Sequence, residues 1–160
     1  MKLFLGFLLV TFIFFGSTLS EVRKKFEQAS KSKEETISFY NALHSYKGKD
    51  ATMLAYQGAS EMLYSRYFGA KETRKKLLIS GSSKIEAAIQ SEPSNAEIRL
   101  IRFIIQENLP KVIAYNRNLT EDKKSILNLY SQQTKEVKML IKKYSQHSKG
   151  FTASEKEKFN

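Results

Sequence analysis

Cysteine and tryptophan are absent from the 160 residues, and proline occurs only twice. Without cysteine there is no disulfide framework, no thiolate metal site and no lipid attachment through a lipobox thiol. An exported chain of this size can do without disulfides if it buries a real core. Two prolines and seven glycines are too few for a turn-rich β architecture. No segment shows the strict alternation of a half-buried strand. Histidine is scarce as well: His44 and His147 lie in opposite halves of the chain, and no H-E-x-x-H or similar ligand spacing exists. There is no P-loop, no G-x-S-x-G turn and no serine with a histidine partner in view. The adjacent acids Glu34-Glu35 and Glu121-Asp122 point to different sides of a helix, as solvated or helix-starting charge does. The expectation is therefore no catalytic residue, no cofactor and no metal, and a protein that is not an enzyme.

Acidic residues are also few, 16 against 27 Lys and Arg, which gives a net charge of +11. What the chain does have begins at its start. Met1-Lys2 is a short positive opening, and Leu3 to Phe15 is apolar except for Thr11. Gly16-Ser17-Thr18-Leu19-Ser20 follows, with Thr18 and Ser20 at −3 and −1 for a cut before Glu21. This is the three-part layout of a secretory signal peptide. The predicted organisation is a signal peptide over 1–20, a helical domain over 21–147 and a polar C-terminal tail over 148–160. The protein is expected to be exported, periplasmic or secreted. The alternative is an inner-membrane anchor over residues 3–19, whose length lies at the lower limit for a spanning helix of roughly 20 residues. The basic Arg23, Lys24 and Lys25 that follow it do not favour that orientation.

Beyond residue 20 the periodicity predicts an all-α protein of about five helices packed as antiparallel hairpins. The first runs from Phe26 to Tyr46, with Gly48 as its stop and Asp50 as the next N-cap. The second runs from Ala51 to Phe68 and ends at Gly69. Its Gly58-Ala59-Ser60 patch would let a neighbouring helix approach closely. The third covers Lys71 to Ser91, with Gly81 interrupting its stripe. Ser94 or Asn95 caps the fourth, Ala96 to Glu107, which is apolar nearly all round and should be the most buried. Val112 to Tyr115 is a short helical turn. The fifth, Glu121 to about Gln146, starts from Thr120 as its cap, with negative charge in its first turn.

Ala88-Ile89-Gln90-Ser91-Glu92-Pro93-Ser94-Asn95 resembles the end of a tetratricopeptide repeat, and Tyr56-Gln57-Gly58-Ala59 resembles the small-residue step of such a repeat's first helix. The wider pattern includes Asn95, Glu97-Ile98-Arg99, Arg102, Gln106, Asn108, Pro110, Tyr115 and Glu121-Asp122-Lys123. It is similar to a family of exported, uncharacterised proteins of Bacteroidota-type bacteria. The first resemblance implies a short stack of helical hairpins that offers a groove to a peptide or protein. The second implies no particular activity.

Two clusters stand out. Arg99 and Arg102 share one face of an otherwise apolar helix. Glu97, Gln106, Asn108, Tyr115 and Asp122 are their candidate partners. The planar guanidinium fork suits an anion or a peptide carboxylate. Buried charges must be paired, however, so an Arg–carboxylate network fixing the angle between two helices is the favoured reading. The second cluster is Lys135, Lys138, Lys142 and Lys143. Seven Lys stand against one acid between Lys123 and Lys149. No nucleic-acid recognition motif accompanies them, so nucleic acid is not expected as a partner. A solvated lysine face is the plainer reading. A contact with anionic membrane lipid or polysaccharide is the sharper one. The function expected is an exported helical module that binds a peptide or protein in a concave face lined by Tyr56, Tyr64, Arg99 or Arg102. The alternative is a basic protein held electrostatically on anionic envelope material.

Overall fold

The computed structural model describes residues 17–160, so the expected signal peptide or anchor falls largely outside the described residues. These form eight α-helices and two 3-10 turns, with no strand among them. The fold is all-α, as the periodicity predicts. None of the described helices is long and apolar enough to cross a membrane.

The predicted first helix is two. α1 spans Leu19–Gln28 and α2 spans Lys33–Leu43. The polar Ser30-Lys31-Ser32 breaks them, and the Ser32 hydroxyl caps α2 by accepting from the Glu35 amide at 3.1 Å. Thr36 then turns its hydroxyl back to the Ala29 carbonyl at 2.6 Å, which locks the corner. α1 begins before the expected cut. Thr18 and Glu21 form a reciprocal capping box, and Leu19 packs on the core.

α3 (Ala51–Tyr64) starts at Asp50 as predicted, with the Asp50 carboxylate accepting from the Met53 amide at 2.8 Å. It closes four residues early, and the turn that follows reaches Gly69, whose φ of +90° suits glycine. α4 (Lys71–Ser91) is continuous through Gly81. Gly81 interrupts the apolar stripe because it is the contact point with α3. A Cβ on Gly58 would lie 2.4 Å from the Gly81 carbonyl oxygen, and one on Gly81 would lie 2.5 Å from the Gly58 oxygen. The two backbones touch there, which only two facing glycines permit.

α5 (Ala96–Asn108) is capped by Asn95, whose side chain accepts from the Glu97 and Ile98 amides. Ile98, Ile101, Phe103 and Ile105 are inside, as expected. Contrary to expectation, it is not the most buried helix: twelve of the fourteen residues of α3 are buried, against ten of thirteen in α5, because α3 packs against α1, α2, α4 and α5. α5 stands between two apolar clusters. Ile98, Ile101 and Ile105 join the one built by α1 to α4, and Ala96, Leu100 and Phe103 join the one built by the C-terminal third.

The predicted fifth helix also divides. α6 spans Leu119–Leu129 and α7 spans Lys135–His147, separated by a 3-10 turn at Tyr130–Gln132. Thr134 caps α7. α6 starts one residue before Thr120, from Asn118 and without a side-chain cap. The C-terminal segment is not merely polar. Phe151 and Phe159 are buried against Phe103 and Tyr130 around a short helix, α8 (Ala153–Glu157), so residues 148–160 complete the second cluster.

Candidate functional site

The arginines of α5 point into its contact with α6. Arg102 grips Asp122 in a two-pronged ion pair, Nε to Oδ2 and Nη2 to Oδ1, both at 2.7 Å. Arg99 donates to Asp122 at 3.1 Å and to Glu121. Arg102 reaches across to Glu86 of α4 at 2.7 Å, and the Tyr115 hydroxyl donates to the same carboxylate at 2.6 Å. Asp122 is fully buried. Burial pushes its carboxyl up, against the downward pull of Arg102 and Arg99. Burial also works against the Arg102 charge, but Asp122 and Glu86 outweigh it and raise the guanidinium. The Glu121 carboxyl is held below its ordinary range by the Arg99 hydrogen bond and then by Asn118. Burial and the bond to Glu86 raise the Tyr115 hydroxyl. Among the described residues no buried side-chain polar atom lacks a partner. The cluster is closed on itself and ties α4, α5 and α6 together.

Not all the residues expected there belong to it. Glu97 faces the opposite way, where it accepts from Arg23 of α1 through two bonds of 2.7 Å and from the buried Tyr56 hydroxyl at 2.7 Å. Burial, then the Glu97 charge, pushes the Tyr56 hydroxyl well up. Gln106 pairs with Asn118 at the start of α6. Asn108 lies at the end of α5 and donates to the Tyr144 hydroxyl at 2.9 Å. Tyr64 is stacked between Tyr40 and Phe68, at centroid distances of 4.0 and 4.2 Å. Tyr56, Tyr64, Arg99 and Arg102 therefore do not line one concave face together.

A cleft of about 460 Å³ opens elsewhere, between α1, α3, α5 and α7. The half-buried Phe26, Ile104, Leu140 and Tyr144 line it, with the buried Tyr56, Leu63, Leu100, Ile101 and Ile105 behind them. Lys31, Arg66, Lys143 and His147 stand at its mouth, together with Glu27, Gln28, Ser30 and Asn108. The sequence signal for it was present but divided. Ile104 and Leu140 lie on helices far apart in sequence, and nothing local shows that the break at Ser30 brings Lys31 to the same cleft as Arg66.

The α7 lysines line the opposite side of that helix from the core. Lys135 and Lys143 are exposed, while Lys138 and Lys142 are half-buried. Lys138 lies 5.8 Å above the Tyr130 ring, and Lys143 is paired with Glu27. Met139 sits among them with 62% of its surface exposed. The described residues hold no group of three or more His, Asp or Glu placed to bind a metal ion.

The chain matches no protein-family model, no curated protein and no solved structure.

Proposed function

We propose that the protein is an exported, non-catalytic helical module that binds a peptide or protein segment in the cleft between α1, α3, α5 and α7. The observation that carries this reading is the cleft itself: an aliphatic floor within the volume range of ligand sites, edged by polar and cationic side chains. Buried apolar surface drives such binding, and the polar mouth fixes its orientation. The arginine network is structural in this reading, since each of its charges is already matched. The α3–α4 and α5–α6 hairpins support a tetratricopeptide-like stacking, and the apolar run at Leu3–Phe15 supports export by a signal peptide. Site-specific photo-crosslinking tests the binding site. A photoreactive residue at Ile104 should capture a partner in the native cells, and one at the exposed Ser83 should not. Equal capture at both positions, or none at Ile104, sinks the reading.

A second reading rests on Met139, an apolar side chain projecting from between lysines, as a contact with an anionic membrane would use. Two of the four lysines have partners inside the fold, which favours the cleft. Vesicles containing phosphatidylglycerol should bind the wild type and the variant with all four lysines replaced by Gln to nearly the same extent. A loss that tracks those four charges would promote the electrostatic reading.

A further inference from the structure

The floor and the mouth of the cleft ask for different chemistry from its occupant. The aliphatic lining, led by Ile104 and Leu140, offers no hydrogen-bonding group, and the hydroxyls of Tyr56 and Tyr144 are already engaged with Glu97 and with Glu107 and Asn108. A polypeptide main chain laid on this lining would leave its amides unpaired, at a cost of a few kcal/mol for each. Only side chains, or an alkyl chain, can fill that space. The main chain of an occupant must therefore stay at the mouth, where Gln28, Ser30 and Asn108 provide donors and acceptors.

The mouth is also cationic, and its Lys31 and Arg66 have no carboxylate partner among the described residues. Four helices bring their C-terminal ends or last turns there, since Gln28, Arg66, Asn108 and His147 all line the opening. Positive charge at helix C-termini is favourable in itself. Arg66 serves that purpose by donating to the Asn108 carbonyl at 3.0 Å. Lys143 is paired with Glu27. No described carboxylate pairs with Lys31 or with Arg66. An internal aliphatic segment of a partner would bring nothing to match them, whereas a chain terminus would.

We infer that the cleft receives the C-terminal end of a partner polypeptide whose last residues are aliphatic. The final side chains fill the floor, and the terminal carboxylate lies at the mouth against Lys31 and Arg66. This rests on the binding-module reading above and narrows it to one kind of segment. The volume suits a few aliphatic side chains rather than the face of a long helix.

The same chemistry, an aliphatic body ended by a carboxylate, also describes a fatty acid, so the test has three arms. Calorimetry with the folded protein compares the peptide acetyl-Ser-Gly-Leu-Leu-Leu as its free acid, the same peptide as its C-terminal amide, and dodecanoate. The free acid should bind about tenfold more tightly than the amide, the effect of one charge-assisted hydrogen bond. Lys31→Gln with Arg66→Gln should remove that advantage and leave binding of the amide unchanged. Both positions are exposed, and an unaltered melting curve verifies the fold. Equal binding of acid and amide overturns the carboxylate assignment and leaves the cleft reading standing. Binding of neither peptide overturns this inference, and if Ile104 also captures nothing the cleft reading falls with it. Dodecanoate binding more tightly than the free-acid peptide assigns the cleft to an acyl anion and overturns the peptide.

Discussion

α1 to α4 pack on one side of α5 around a close glycine contact and a mixed aliphatic and aromatic cluster, whereas α6 to α8 are attached to another side around the Asp122 ion-pair network and the C-terminal phenylalanines. In the first region Gly58 and Gly81 let two backbones touch, and Ile85, Ala88, Met62 and Ala59 close around them. Polar links cross this region too: Glu97 holds Arg23 and Tyr56, Glu61 holds Lys84, and Gln57 donates to the Leu43 carbonyl. In the second region Asp122 is sunk beneath two arginines, and Glu107 accepts from Tyr144, Ser148 and the Gly150 amide to hold the C-terminal segment. Phe103, Phe151 and Phe159 fill the space between. The first region has its closest approach where two glycines meet, and the second has its two arginines converging on one buried carboxylate. A helix pinned by buried, matched charges is fragile when one partner is lost, because the remaining charge is left uncompensated.

The largest expected effect follows from that fragility. Asp122→Ala leaves two buried guanidiniums without their shared partner and should destabilise the protein by about 3–5 kcal/mol, read by denaturant unfolding. A loss below about 1 kcal/mol would show that the network is not what fixes α6. Phe103→Ala on the second face should cost about 3–5 kcal/mol and Ile101→Ala on the first about 2–5 kcal/mol, because both leave cavities in closed packing. Unfolding in which the two substitutions shift separate transitions would divide the protein into two cooperative units.

Gly58→Ala tests the first region by overfilling instead of emptying. Its methyl would meet the Gly81 backbone, which cannot rotate away, so a loss of about 1–3 kcal/mol is expected despite the higher helix propensity of alanine. A gain in stability would mean that α3 and α4 separate freely. Thr18→Ala should cost about 1 kcal/mol through the lost cap of α1. The same experiment bears on processing, since a chain cut before Glu21 would lack both Thr18 and Leu19. Equal melting of chains starting at Ser17 and at Glu21 would show that these residues contribute nothing.

The smallest effect is electrostatic and sharpens the contrast of the two regions. The lowered Glu121 carboxyl contributes stability that is present above its ordinary value of 4.5 and lost as the pH falls through its folded value. Asp122, raised by burial, acts with the opposite sign, so only a difference isolates Glu121. Glu121→Gln should be less stable than wild type at neutral pH, and the gap should close in acid. A gap independent of pH would remove the Arg99–Glu121 pair from the account.

Much of the fold was legible because helices announce themselves locally. Asp50 and Asn95 sit where a side-chain cap is needed, Gly69 where the chain must turn, and Lys71–Ser91 has the bounds its pattern predicts. The breaks within the first and last predicted helices were missed. At Ser30–Ser32 and at Gln133-Thr134 the residues are polar but compatible with helix, and the hydroxyl caps that favour a new start compete with continuation by only about 1 kcal/mol. Burial of Val22, Phe39 and Val137 decides the outcome, and it depends on elements distant in sequence. The C-terminal phenylalanines were visible as residues, but their place beside Phe103 was not.

Taken alone, the sequence determined that the protein is helical, that it carries excess positive charge and no thiol chemistry, and that Arg99 and Arg102 share a face needing carboxylates. These follow from composition and from the helical period, which act over a few residues. Tertiary structure decided which carboxylates those would be, that Gly58 would meet Gly81, and that Lys31, Arg66 and Lys143 would gather over an aliphatic floor. Each of these joins residues distant along the chain, and only the packing of whole helices brings such residues within the few ångströms over which contact and hydrogen bonding act.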